Sequence, residues 1–114
     1  MDPREMYYSN HWMKERSERK DEIDFVLHKN WGIIAYKAWN PDRNNWQFMT
    51  TTGLLFVMDE CELFIVTMMI PSRSQFLRFF QMVGQEPLGW FVRQAKRNSR
   101  RAREWRENFS EKVA

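Results

Sequence analysis

Leu54 to Ile70 reads LLFVMDECELFIVTMMI, two apolar runs parted by Asp59 and Glu60. Runs of this length, rich in β-branched and aromatic residues and bounded by Gly53 and Pro71, predict strands over Leu54–Met58 and Cys61–Ile70 with a tight turn between them. Both runs are apolar at odd and even positions alike. Successive strand side chains point to opposite faces, so both faces of the sheet need cover, from helices of the same chain or from a second copy.

Upstream, Asn45 to Thr51 predicts another strand, and the turn formers Asn40, Pro41, Asp42, Arg43 and Asn44 separate it from a strand over Trp31–Trp39. In that first strand Ile34, Tyr36 and Ala38 share one face, and Ile33, Ala35, Lys37 and Trp39 the other. Strands this close in sequence form an antiparallel meander. From Asn10 to Lys29 the residues Trp12, Arg16, Arg19, Ile23 and Val26 recur at helical spacing. Downstream, Pro71, Ser72 and Gln75 resemble a capping-box start for a mostly apolar helix that Gly84 can stop. A last helix can begin near Pro87, with Phe91, Ala95, Asn98, Ala102, Trp105 and Phe109 on one stripe. The expected architecture is α+β: an N-terminal helix, a four-stranded antiparallel meander and two C-terminal helices. Residues 1–114 form one domain, with residues 9–70 as its helix-and-sheet core and residues 72–114 as a helical extension.

Composition bounds the function classes. A chain of 114 residues can bury a core without staples, and 16% aromatic with 29% charged residues is a globular balance. The single cysteine, Cys61, cannot form an internal disulfide, and His11 and His28 do not make a zinc cluster with it. No metal or other cofactor is expected. The glycines Gly32, Gly53, Gly84 and Gly89 fit neither a dinucleotide fingerprint nor a P-loop, and no serine sits in a nucleophile elbow. The longest apolar stretch falls far short of the roughly 18 residues of a membrane span. Met1, Asp2, Pro3, Arg4 and Glu5 lack the basic start and apolar core of a secretory leader, so a cytoplasmic protein is expected.

Charge is uneven. Residues 90–114 carry eight Lys or Arg against three Glu, and the preceding residues ten against twelve. Arg93, Lys96, Arg97, Arg100, Arg101, Arg103 and Arg106, beside Trp90 and Trp105, suit phosphates and unpaired bases. The same face also suits an acidic protein, or a solvated helix whose arginines pair with Glu104, Glu107 and Glu111. Of these residues, Arg93, Lys96, Arg97, Arg100, Arg101, Arg103 and Trp105 are the candidate nucleic-acid contacts.

On the first helix His11 can titrate near neutrality, and Arg16 and Arg19 are permanent cations turned toward the sheet. Metal-independent RNA cleavage needs a base for the 2′-hydroxyl, cations for the crowded phosphate and an acid for the leaving oxygen. Alternatively the arginine stems lie on apolar surface with their heads in water, paired to Glu15, Glu18 and Glu22.

The stretch from His11 to Arg19 with the following Phe25, Val26 and Leu27, and the hairpin Gly53 to Glu60 and Leu63 to Thr67 ending in Ile65, Val66 and Thr67, resemble RelE-like domains of the barnase, EndoU, colicin and RelE group of RNase toxins. The resemblance covers residues 9–70. It implies a helix followed by a four-stranded antiparallel sheet, a toxin that cleaves RNA, and a catalytic set of His11, Arg16, Arg19 and Thr67. It also implies an acidic antitoxin as partner. Met68, Met69 and Ile70 stand where such domains place an aromatic, and the basic extension has no counterpart in the minimal domain.

Two functions follow as expectations. One is an endoribonuclease acting at the junction of first helix and sheet. The other is a non-catalytic binding protein of phage or mobile-element type, gripping nucleic acid or inhibiting a host protein through its last helix. A homodimer covering the apolar fourth strand fits either.

Overall fold

A computed structural model of the protein describes residues 7–62 and 64–110, without the side chains of residues 10, 11, 14–18, 109 and 110. The elements follow the expected order: α1 (Asn10–Leu27), β1 (Ile34–Asn40), β2 (Asn45–Thr50), β3 (Leu55–Met58), β4 (Ile65–Met69), α2 (Arg73–Val83), α3 (Gly89–Trp105) and a π-turn (Arg106–Ser110). The four strands form one antiparallel sheet in the order β1-β2-β3-β4. The chain is an α+β meander with one helix before the sheet and two after it.

Period-two alternation along β3 divides the interior into two cores. Phe56 and Met58 face α1 and pack with Trp12, Ile23, Val26 and Met68, whereas Leu55 faces α2 and packs with Phe76, Phe79, Phe80 and Phe91. On the α1 side Phe48 stacks on Phe56 across the β2–β3 pair, with ring centroids 5.0 Å apart and planes 10° from parallel. Each such buried side chain contributes about 1.5–3 kcal/mol relative to exposure. Helices of this same chain thus lie on both faces of the sheet.

The third helix joins the two cores. Phe91 at its start belongs to the α2 side, and Ala102 near its end belongs to the α1 side. Midway, Asn98 Nδ2 donates to the Thr52 carbonyl at the β2–β3 turn, 2.9 Å away. α3 therefore passes around the end of the sheet and finishes against α1, where Trp105 packs on Phe25 at 5.4 Å.

Local signals explain the helix ends. Ser9 caps α1 by accepting from the Trp12 amide. It also bridges to β4: its amide donates to Ile65 O at 2.8 Å, and Ile65 N donates to Tyr7 O at 2.8 Å. The Ser72–Gln75 capping box forms as read from the sequence, and Gly84 closes α2 in the left-handed region at φ 84°.

Strand boundaries differ from expectation by more than one residue at two places. β1 starts at Ile34, not Trp31, because His28, Lys29 and Gly32 all take positive φ and Trp31 turns inward. Its indole donates to Asp24 Oδ1 at 2.6 Å. An irregularity between Ile34 and Tyr36 then splits the expected face: Tyr36 and Ala38 lie on the α2 side, but Ile34 packs on the α1 side. β4 starts at Ile65, not Cys61, because Asp59 holds a wider loop, accepting the Glu62 amide at its carbonyl and the Phe64 amide at its carboxylate.

Candidate nucleic-acid interface

α3 is amphipathic. Phe91, Asn98 and Ala102 are buried, and Arg93, Lys96, Arg97, Arg100 and Arg103 are exposed on the opposite side. At 100° per residue these five cations occupy one continuous arc of about 120°, shared with Glu104. No ion pair among the described residues engages any of the five.

The arc borders a groove. Between the start of α2 and the middle of α3 lies a cavity of 360 Å³ with Phe76, Leu77, Val92 and Ala95 on its floor. Lys96, Arg100 and Arg103 rim it from α3, and Arg73 from α2. Ser72 and Ser99 also line it, and among the described residues no carboxylate does. The positive end of the α2 dipole opens at Ser72 and Arg73, adding to the field of the four cations. Such a site attracts anions, and its apolar floor offers a second kind of contact.

Arg73 was absent from the sequence expectation. The signal available was the short connection from Gly84 to Leu88, which keeps α3 beside α2; Arg73 and Phe76 of α2 line the same groove as Lys96, Ser99 and Arg103 of α3.

Two candidate nucleic-acid contacts have other roles. Arg101 turns inward, donating from Nη2 to Phe25 O at 3.0 Å with its guanidinium 4.7 Å from the Phe25 ring. It ties α3 to the end of α1 and does not join the outward arc. Trp105 is packed on Phe25, so its ring is part of the α1–α3 contact. Trp90, by contrast, is 51% exposed at the start of α3.

Of the α1 set, the side chains of Arg19 and Thr67 are described. Arg19 donates from Nη1 to Met68 O at 3.2 Å, binding α1 to the outer edge of β4. Thr67 pairs with Val57, and Met69 with Leu55 of the α2-side core, whereas Met68 between them faces α1. Alternation therefore turns Thr67 to the sheet face opposite α1. His11 and Arg16 sit on α1, and their side chains lie outside the described residues.

Near Arg19, the Glu22 carboxyl is raised above its ordinary value of 4.5 by burial, against the opposing pull of Arg106 and then of Arg19. A larger cleft of 670 Å³ beside α1 is lined by Lys20 and Lys29 as well as Asp21 and Asp24. Its charges balance, and Asp24 already accepts from Lys20 Nζ at 3.0 Å and from the Trp31 indole. It lacks the single-sign field of the α2–α3 groove.

Among the described residues no three His, Cys, Asp or Glu side chains gather as metal ligands, and no helix is long and apolar enough to cross a membrane. Comparison with protein-family models, with curated proteins and with solved structures finds no match for the chain.

Proposed function

We propose that this protein binds RNA through the basic face of α3 and the groove beside it, and acts by binding and not by cleavage. The observation that carries the reading is the arc of Arg93, Lys96, Arg97, Arg100 and Arg103, exposed and without ion-pair partners among the described residues, and extended across the groove by Arg73. Cations spread along one helix face match a polymer that carries a charge at every unit, and arginine forks match phosphate oxygens two at a time.

The inward turn of Arg101 sharpens the reading, because it separates an arginine that holds α3 in place from those left to meet a ligand. Support for cleavage is thinner. Arg19 is engaged with the β4 edge, and Thr67 faces away from α1.

Fluorescence anisotropy with a labelled RNA oligonucleotide tests the proposal. Binding that falls by about tenfold or more in Lys96→Glu/Arg100→Glu, with an unchanged circular-dichroism spectrum, is the expected result. Equal affinity of wild type and variant contradicts it.

A further inference from the structure

We infer that the α2–α3 groove holds one unpaired nucleotide, so that the protein selects single-stranded RNA over duplex RNA. The inference rests on the RNA-binding reading and goes beyond it, since a basic helix face alone grips any nucleic acid.

The groove is more than a charged surface. Its floor is apolar, from Leu77 on α2 and Val92 and Ala95 on α3, and Leu77 is 46% exposed although its neighbours Phe76 and Phe79 are buried. Basic side chains line it from both helices, Arg73 from α2 and Lys96, Arg100 and Arg103 from α3. A duplex presents phosphates outward and keeps its base faces stacked inside, so it can use the basic side chains but not the floor. An unpaired nucleotide can use both: its base lies on the apolar floor, and the phosphates before and after it meet the basic side chains. The Ser99 hydroxyl, also on the lining, can donate to or accept from a ribose 2′-hydroxyl.

An acidic peptide with apolar side chains shares part of this chemistry. The polynucleotide fits better because the cationic track continues beyond the groove along Arg93 and Arg97, giving successive phosphates further partners. Three of the four rim cations are arginine, the side chain whose planar fork suits phosphate.

The test measures anisotropy of the full chain with a labelled mixed-sequence RNA of about 16 nucleotides, single-stranded and annealed to its complement, at one salt concentration. The single strand should bind about tenfold more tightly than the duplex. Leu77→Ala, a half-exposed position whose truncation leaves the charges in place, should weaken single-strand binding by about 3- to 10-fold and leave duplex binding unchanged. Equal affinity for both forms, with Leu77→Ala silent, overturns the inference while leaving RNA binding intact. Loss of all RNA binding in the wild type overturns both. A peptide of alternating Glu and Leu that binds more tightly than the single strand also overturns the choice of RNA as occupant.

Discussion

Asn98 Nδ2 stands 2.9 Å from the Thr52 carbonyl oxygen, and that hydrogen bond fixes where α3 crosses the end of the sheet. Asn98 is buried, and Gly53 beside it takes φ +96° with no room for a side chain: a Cβ there would lie 2.7 Å from Asn98 Nδ2. With Phe91 in the α2-side core and Arg101 on the end of α1, this contact holds α3 and so helps to set the position of the basic arc.

Asn98→Ala should therefore lower stability by about 1–3 kcal/mol, the cost of leaving the Thr52 carbonyl without its donor. Gly53→Ala should cost a similar amount through positive-φ strain and the clash with Asn98. The two changes share one contact, so the double variant should lose less than the sum of the singles. Urea denaturation of the four proteins measures this, and strict additivity contradicts the account.

The neighbours Arg100 and Arg101 should behave oppositely. Arg101→Ala removes the donor to Phe25 O and the contact with its ring, so it should lower the melting temperature. Arg100→Ala, at an exposed groove position, should leave stability within about 0.5 kcal/mol of wild type and weaken RNA binding. Parallel melting and binding curves check the contrast. Equal losses of stability in both variants would contradict the assigned roles.

This pair also shows what could be read from the sequence. Helical periodicity sufficed to put Phe91, Asn98 and Ala102 on the buried side of α3 and Arg93, Lys96, Arg97 and Arg100 opposite, but it also places Arg101 with those four, whereas Arg101 turns to Phe25. Arg101 lies at the margin of the two sides, and its direction depends on the end of α1 coming to meet it, a tertiary fact that no local spacing encodes. Thr67 is similar: its strand was legible, but the face it presents follows from the pairing with Val57 and the packing of α1 against Met68. The early start expected for β1 failed for a backbone reason, since consecutive left-handed conformations at His28 and Lys29 are uncommon for non-glycine residues and leave no compositional signal.

Glu22 gives a pH-dependent test. Burial raises its carboxyl above 4.5, so the native state holds that proton more tightly than the unfolded chain does. Its contribution to stability is most favourable below the ordinary carboxylate value and is lost as pH rises through that value toward the raised one. Glu22→Gln should melt higher than wild type at neutral pH, and the gap should close near pH 3, where Glu22 is protonated. Melting temperatures across that range decide it; a gap that widens on acidification runs against the assignment.

Binding without cleavage makes a further prediction. RNA incubated with the purified protein at neutral pH should be recovered intact while remaining bound, and His11→Ala should bind it as wild type does. Denaturing gel electrophoresis after incubation reads the first, and anisotropy the second. Fragments whose formation is abolished by His11→Ala would restore the catalytic reading of α1.

The most direct test of the central claim is the salt dependence of RNA affinity in the full chain. For a single strand the slope of log affinity against log salt is about −0.7 per phosphate neutralised, so Lys96→Ala/Arg100→Ala/Arg103→Ala should flatten the wild-type slope by about 2. A wild-type slope near zero, or a slope that survives removal of those three cations unchanged, would place RNA recognition elsewhere or exclude it.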